Sequence, residues 1–145
     1  MATFRLIGWS EFEAQLQELD ASLQRKGLIE VADAAADILV DAARAIAPRS
    51  KDGSHMADRI KKRVSSKDNG IHRVTVDVGP DAKDFHALFV EKGTRERFYK
   101  KGRKGSSSGV MPAHPFMAPA FDANVDRMTQ AIQEKMQDII DRVTA

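Results

Sequence analysis

Residues 89–121 of the chain read FVEKGTRERFYKKGRKGSSSGVMPAHPFMAPAF. The Val90–Thr94 portion predicts the end of a strand and a tight turn, in which Gly93 takes a positive φ that other residues resist. A basic loop rich in glycine and serine follows, and a proline-rich segment then leads into a long helix. Long loops inside compact domains are usually functional or disordered. The stretch therefore predicts a rigid scaffold that holds out a positively charged loop.

Amphipathic helices are predicted on both sides of this stretch. Ser10 has the sequence context of an N-cap because Glu13 follows at the spacing of a capping box. Apolar residues then recur at helical spacing as far as Pro48, which ends the helix, and Gly27 predicts a kink or a break within it. A second helix is predicted to run nearly to the C-terminus, because one apolar stripe steps by three and four residues. The stripe comprises Phe121, Val125, Met128, Ile132, Met136, Ile139 and Val143.

Short strands are predicted between the helices. Residues 71–78 alternate between apolar and polar side chains, which is typical of a half-buried strand, and the Asp68-Asn69-Gly70 sequence before them is a strong turn signal. Residues 86–90 form a second short apolar segment, and residues 94–99 predict a third strand. The order of helix, strands and helix predicts an α+β fold, with two long helices packed on a small antiparallel β-sheet.

The composition indicates one folded domain over residues 1–145. Hydrophobic residues make up 42% of the chain and charged residues 30%, as in folded soluble proteins. The chain has no cysteine, which excludes disulfides. No apolar run approaches the ~20 residues that a membrane span needs, and the N-terminus lacks the features of a secretory signal. Within the domain, we expect an N-terminal arm at residues 1–9 and a flexible basic loop at residues 95–111.

Positive charge is concentrated in this loop. The formal net charge is only +2, so the charge balance does not predict a nucleic-acid surface over the whole chain. The loop has two interpretations: it contacts phosphates or an acidic neighbouring subunit, or it is a solvated hairpin tip. Phe98 and Tyr99 stack on a base or a partner ring in the first case, and pack back on the sheet in the second. The six basic residues are Arg95, Arg97, Lys100, Lys101, Arg103 and Lys104.

No arrangement of residues predicts catalysis. The four histidines lack the short paired spacing of a zinc site, and no cysteine assists them. The serines at 106–108 lie in a tract that cannot hold a reactive geometry, and no phosphate-binding glycine motif follows a strand and opens a helix. We therefore expect no enzyme activity, no metal and no cofactor.

Glu91 in the turn has three interpretations. Its carboxylate bonds the amides of its own turn, pairs with an arginine across a subunit contact, or is an ordinary surface carboxylate beside a turn.

Two motifs carry a family resemblance. Val-Glu-Lys-Gly-Thr at residues 90–94 is followed, after the basic loop, by Pro-Ala-His-Pro-Phe-Met-Ala-Pro-Ala at residues 112–120. With the upstream helix ending in Ala47-Pro48, this order resembles the small head–tail joining, or neck and tail-completion, proteins of long-tailed bacteriophages. The resemblance covers the chain from about Gly8 to its end. The residues that carry it at the two motifs are Glu91, Gly93, Thr94, Pro112, Pro115, Phe116 and Pro119.

The resemblance implies a structural virion protein without catalytic activity. Such proteins assemble as a ring, here expected to be a hexamer, that joins the portal-side head connector to the tail tube and its terminator and surrounds the DNA channel. The implied partners are copies of the chain, the connector and tail proteins, and packaged DNA through non-specific contact, with no membrane. The implied location is the virion neck or tail, after assembly in the host bacterial cytoplasm.

Two features of the scaffold fit a ring subunit, since head-to-tail contacts close a ring. The N-terminal arm and the basic loop would both contact neighbouring subunits. The alternative function is a small nucleic-acid-binding module that uses the basic loop, and a toxin-like or other small enzyme is disfavoured because no catalytic arrangement is present.

Overall fold

The computed structural model describes residues 8–51, 55–65, 73–102 and 105–145. The predicted α+β class is confirmed, because two long helices pack together with small antiparallel sheets. Within the described residues, no helix is both long and apolar enough to span a bilayer.

The elements alternate along the chain between helices and short strands. The α-helices are α1 (Trp9–Gln17), α2 (Ala21–Ile46), α3 (Ala87–Lys92) and α4 (Met117–Thr144). The strands are β1 (Lys61–Val64), β2 (Val76–Gly79), β3 (Arg97–Phe98) and β4 (Ser107–Gly109). β1 pairs antiparallel with β2, β3 pairs antiparallel with β4, and single 3₁₀ turns lie at Met56–Arg59 and Ala82–Asp84.

Helices α2 and α4 form the body of the molecule. Their apolar contacts fall into two clusters: Val31 packs with Ile139 in one, and Ala43 packs with Ala120 in the other. The two helices therefore run antiparallel, and β1 and β2 pack on α2. The apolar stripe predicted on α4 supplies much of this core. Its buried members are Met128, Ile132, Met136 and Ile139.

Gly27 does not break the helix, and the prediction of a kink or break there is wrong. The chain breaks instead between α1 and α2, and Gly27 is buried inside α2. A Cβ at this position would lie 3.1 Å from Cδ2 of Leu16 and 3.9 Å from Ile139. Glycine is present because three helices meet closely here, and this packing offsets the ~0.5–1 kcal/mol that glycine costs inside a helix. The predicted end before Pro48 is confirmed, since α2 stops at Ile46.

The capping box predicted at Ser10 and Glu13 is also wrong. Helix α1 begins at Trp9, and Gly8 is its N-cap with a φ of 85° and no side-chain hydrogen bond. The Ser10 hydroxyl donates to the neighbouring Glu11 carboxylate instead. The ring of Trp9 contacts that of Phe12, with their centroids 5.6 Å apart. Aromatic packing therefore accompanies the start of the helix, one residue before Ser10. Of the predicted N-terminal arm, residues 1–7 lie outside the described residues.

The strands are shorter than predicted. β2 begins at Val76 and includes Gly79, which pairs with Lys61 in the β1–β2 register. Residues 66–72, which hold the predicted turn and the first part of the predicted strand, lie outside the described residues. The strand predicted at 94–99 is reduced to the two residues of β3, which pair within the basic loop rather than with β2.

The segment before Gly93 is helix α3, so the predicted strand end at Val90 is wrong. Short apolar runs fit a strand or a buried helix equally well by pattern alone. Here the chain turns helically after residue 86, and Gly93 ends the helix as its C-cap, with its N–H donating to the Phe89 carbonyl oxygen at 2.7 Å.

Candidate functional site

The turn motif and the proline motif form one connected structure. We call the residues Val90–Thr94 and Met111–Ala118 together the clasp. The backbone N–H of His114 donates to the carbonyl oxygen of Val90 at 2.7 Å, which joins the end of α3 to the proline-rich segment. The clasp brings together six of the seven motif residues predicted from the sequence. These are Glu91, Gly93, Thr94, Pro112, Pro115 and Phe116, and Pro119 follows one residue beyond it.

Glu91 holds the N-terminus of α4. Its carboxylate accepts hydrogen bonds from the backbone N–H groups of Phe116 at 2.8 Å, Met117 at 3.0 Å and Ala118 at 3.1 Å. The first N–H groups of a helix have no partner within the helix, and the next residue, Pro119, has no N–H at all. Every donor at the start of α4 is therefore accounted for before Ala120 makes the first helical bond to Phe116 at 3.2 Å.

This role differs from two of the three interpretations that the sequence allows for Glu91. Glu91 bonds the amides of a distant helix rather than those of its own turn. Its side chain is also more than a surface carboxylate, since it carries three backbone bonds from another segment.

The environment of Glu91 favours the charged carboxylate. Desolvation opposes ionisation, but the three backbone N–H bonds outweigh it, and together with the nearby Lys92 they hold the pKa of Glu91 below its ordinary value. The partial positive charge at a helix N-terminus acts in the same direction. Glu91 is therefore ionised at neutral pH and fixes the direction of α4 relative to α3.

Gly93 is required in the clasp for two independent reasons. Its φ of 74° with a ψ of −178° lies in a region that is essentially restricted to glycine, so the predicted positive φ is confirmed. A Cβ built on Gly93 would also lie 2.9 Å from the Met111 carbonyl oxygen and 2.9 Å from the Ala113 nitrogen. A side chain at this position would separate the two halves of the clasp.

The prolines direct the chain around a buried aromatic anchor. Phe116 is only 1% exposed and packs in the core with Val40 and Ala120. Pro112 and Pro115 precede it on the surface, where their fixed φ and the restriction on their preceding residues limit the path of the backbone. Pro119 lies in the first turn of α4, where a missing N–H leaves no bond unmade.

The basic loop is a β-hairpin that begins and ends at the clasp. At its base, the Thr94 N–H donates to the Met111 carbonyl oxygen at 2.9 Å, and the Met111 N–H donates to the Thr94 hydroxyl at 3.1 Å. Beyond this pair, Arg97 lies opposite Gly109 across a bulge in the β3–β4 register. The clasp therefore positions the hairpin, although the flexibility expected for residues 95–111 remains a prediction.

The described basic side chains of the hairpin all face solvent. They belong to Arg95, Arg97, Lys100 and Lys101, whereas Arg103 and Lys104 lie outside the described residues. Phe98 and Tyr99 are about half exposed, so the interpretation in which both rings pack back on the sheet is not the one observed. The hairpin presents cations and two aromatic rings on one projecting element.

An ion pair between the buried carboxylate of Asp84 and the partly exposed guanidinium of Arg59, which sequence reasoning missed, positions the chain before α3. The Asp84 carboxylate is only 3% exposed and accepts two bonds from the Arg59 guanidinium, one of them at 2.8 Å from Nε. The bonds from Arg59 outweigh desolvation and hold the pKa of Asp84 below its ordinary value. The two residues lie far apart in the sequence, and neither belongs to a motif that would have indicated the pair.

The described residues contain no group of three or more histidine, aspartate or glutamate side chains that could hold a metal ion. The arrangement of the clasp can hold a projecting hairpin and fix the start of a helix, and these are structural tasks.

Comparison with known protein families identifies a relationship for this chain. The family model described as "Bacteriophage HK97-gp10, putative tail-component" matches residues 10–93, more than half of the chain. No curated protein and no solved structure matches the chain.

Proposed function

The chain belongs to the HK97-gp10-like family of bacteriophage tail components, and from this premise we propose that it forms a ring at the head–tail junction. As a tail component it is a structural part of the virion and contacts other virion proteins. The finer proposal is a ring, a hexamer by the resemblance described above, that connects the portal-side connector to the tail tube and surrounds the DNA channel. Assembly takes place in the cytoplasm of the host bacterium, and the chain has no catalytic role.

The clasp is the observation that carries this proposal. A ring subunit needs a rigid body and an extended element that contacts its neighbours, and the clasp joins the two. Glu91 fixes the start of α4, which belongs to the body. The Thr94–Met111 pair closes the base of the basic hairpin. The hairpin is thus an arm with a fixed origin, positioned for a neighbouring subunit, a connector protein or the DNA in the channel.

A complementation experiment tests the proposed place in the virion. Phage that lack this gene are expected to accumulate DNA-filled heads and separate complete tails, which electron microscopy distinguishes. Purified protein added to that lysate should restore joined particles and infectivity. A variant that replaces Gly93 with valine should fail to restore them, whereas replacement of Gly105, around whose Cβ position no atom lies within 4 Å, should do so far better. Joined particles without the gene would contradict the proposal.

The second candidate function is nucleic-acid binding through the hairpin. It is favoured by the four described cations and the two exposed aromatic rings on one element. Titration with duplex DNA at several salt concentrations separates the candidates, because log K falls with log salt by about 0.9 for each phosphate contacted. Tight binding with a steep slope favours the nucleic-acid module, and weak binding with a shallow slope favours a ring whose lumen accommodates DNA.

A matched pair of variants makes that titration specific to the hairpin. Replacing Lys100 and Lys101 with alanine removes two exposed hairpin cations, and replacing Lys26 and Arg127 removes two exposed cations from the helices. If the hairpin contacts DNA, only the first variant should lose slope, by up to about 1.8 for two phosphate contacts. Equal changes in both variants would indicate an effect of net charge alone.

A further inference from the structure

The basic hairpin carries cations that the rest of the described chain does not neutralise. Its four described cationic side chains are exposed, and none of them makes an ion pair with another described residue. Several cations of the body, by contrast, are paired with carboxylates of the same chain. Examples are Arg59 with Asp84, Lys61 with Asp81, and Lys62 with Asp33 and Asp37. The positive charge of the hairpin is therefore available to a partner outside the chain.

Helix α1 and the turn after it carry the opposite charge. Residues 8–24 contain four acidic residues and no lysine, arginine or histidine. All four acidic side chains are exposed, while Phe12 and Leu16 of the same helix are buried in the core. None of the four makes an ion pair within the part of the chain that the structure describes. We call these four residues, together with Trp9, the acidic face. The four are Glu11, Glu13, Glu18 and Asp20.

Exposed aromatic rings accompany the charges on both surfaces. Trp9 of the acidic face is 38% exposed, and Phe98 and Tyr99 of the hairpin are 58% and 49% exposed. Lysine and arginine are attracted to the face of an aromatic ring, and tryptophan attracts them most strongly. Tryptophan, tyrosine and arginine are also the residues most enriched at the centres of protein interfaces. The two surfaces thus complement each other in side-chain chemistry as well as in the sign of their charge.

The hairpin and the acidic face lie at opposite ends of α4. The hairpin leaves the clasp, where Glu91 bonds the start of α4. Helix α1 packs at the other end, because Phe12 belongs to the same core cluster as Ile139. The rise along α4 from Met117 to Ile139 is about 33 Å at 1.5 Å per residue. With the two surfaces this far apart, a contact between them joins different copies of the chain. Such a contact is heterologous, and heterologous contacts generate closed rings or open filaments.

We propose that the basic hairpin of one copy binds the acidic face of a second copy. Complementary charges steer the encounter of two surfaces and fix their register, and one chain carries both surfaces at its opposite ends. This inference names the partner of the hairpin in the proposed ring and rests on that proposal for ring closure. The contact itself requires only self-association.

Two features favour this protein partner over duplex DNA. Glu96 is exposed on the hairpin between Arg95 and Arg97, where its carboxylate would repel a phosphate. A second basic segment, at residues 59–62, is neutralised by carboxylates of the same chain, so it does not extend the positive surface. DNA-binding proteins contact several phosphates along a duplex. The four described cations of the hairpin suit instead the four carboxylates of one short helix and its following turn.

A charge swap in the full-length chain tests the contact. The hairpin-reversed chain carries glutamate at three exposed hairpin cations, Arg97, Lys100 and Lys101. Like charges then face each other, so its dissociation constant for self-association, measured by analytical ultracentrifugation at low salt, should rise at least about tenfold. The swap chain carries, in addition, lysine in place of Glu11, Glu13 and Glu18. Opposite charges then face each other again, and the constant should return to within about threefold of that of the unsubstituted chain.

The matched control has the same net charge as the swap chain. It combines the reversed hairpin with lysine in place of Asp122, Asp126 and Glu134, three exposed carboxylates of α4. It should associate as weakly as the hairpin-reversed chain, because these carboxylates lie outside the acidic face. All substituted positions are exposed, so thermal denaturation should show each variant folded. Rising salt should weaken self-association of the unsubstituted chain, since exposed charges are screened.

Other results would overturn the proposal. A swap chain that associates no more tightly than the control would remove the acidic face as the partner. A hairpin-reversed chain that associates normally, or an unsubstituted chain that stays monomeric at high concentration and low salt, would remove the contact. Tight duplex binding that is lost in the hairpin-reversed chain, with self-association unchanged, would make DNA the partner of the hairpin.

This inference and the proposed place in the virion fail in distinguishable ways. If the swap restores self-association but phage without the gene still join heads to tails, the contact stands and the place in the virion is wrong. If heads and tails separate without the gene while the swap chain stays as weak as its control, the place in the virion stands and the contact is wrong.

Discussion

Replacement of Glu91 provides the sharpest test of how the clasp works. In Glu91→Ala, three N–H groups at the start of α4 lose their acceptor. The group on Ala118 is exposed and can bond to water, so its loss costs little. The groups on Phe116 and Met117 are partly buried, and each costs about 1–2 kcal/mol when left without a partner. We therefore expect Glu91→Ala to lower the free energy of unfolding by about 2–4 kcal/mol.

The matched variant Glu91→Gln separates the charge from the shape of the side chain. Glutamine keeps one carbonyl oxygen that can accept from the helix N-terminus, but it loses the charge that the helix dipole stabilises. Its expected cost is smaller, about 1–2 kcal/mol. Urea denaturation followed by circular dichroism measures both values. The control is Glu134→Ala on the exposed surface of α4, which should stay within about 0.5 kcal/mol.

The pH dependence of the same variants tests the ionisation of Glu91. Its folded pKa lies below the ordinary value of 4.5, so the charged carboxylate stabilises the folded state above that value. This stabilisation is lost as the pH falls through the lower, folded pKa. The difference in unfolding free energy between the unsubstituted chain and Glu91→Gln should thus be constant near neutral pH and shrink below about pH 4.5. A Glu91→Ala variant no less stable than Glu134→Ala, or a difference that grows in acid, would refute the capping role.

Three further predictions follow from named contacts. Gly93→Ala should lower the free energy of unfolding by about 2–4 kcal/mol, because backbone strain adds to the clash with Met111 and Ala113. Gly105 also has a positive φ but open space around its Cβ position, so in urea denaturation Gly105→Ala should cost clearly less. Equal costs would exclude the clash. Gly27→Ala should leave the free energy of unfolding nearly unchanged, because the higher helix propensity of alanine offsets its close contact with the movable end of Leu16. Gly27→Val should lower that free energy by about 1–3 kcal/mol. A valine variant more stable than the unsubstituted chain would contradict close packing at this position. Asp84→Asn should be less stable than the unsubstituted chain at neutral pH. Because the folded pKa of Asp84 is depressed, this difference in stability should vanish as acid protonates the carboxylate. A difference in melting temperature that does not change with pH would contradict the ion pair.

The elements with a long period could be predicted from the sequence. The apolar stripe on α4 repeats over many turns, so one atypical residue does not obscure its period. Its four members between Met128 and Ile139 are buried as predicted. Pro48 also ends α2 as expected, because proline disrupts helix geometry locally and independently of packing. The positive φ of Gly93 belongs to the same class, since it depends on the turn alone.

The predictions were wrong at positions where tertiary contacts determine the conformation of the chain. The sequence predicts a break at Gly27 because glycine weakens an isolated helix, but in the folded chain Leu16 and Ile139 pack against this position, and Cδ2 of Leu16 lies 3.1 Å from where a Cβ would stand. Helix α3 has only six residues, which is too short for its period to distinguish it from a strand. The exposure of Phe85 was equally hidden, because an apolar residue in a sequence predicts burial and only the fold shows that the body does not cover it.

The role of Glu91 shows why the sequence reveals the two motifs but not the contact that joins them. The turn and proline motifs were recognised together, yet their connection required knowing that the carboxylate of one satisfies the amides of the other. Proline at residue 119 gives the local half of that argument, because it removes one of the donors that a capping group must satisfy. The other half is a contact between Glu91 and residues 116–118 across the whole hairpin. A hairpin of different length could be accommodated without changing this contact, since both of its ends are fixed at the Thr94–Met111 pair. The clasp thus separates the part of the chain that must keep its geometry from the part that is free to fit a partner.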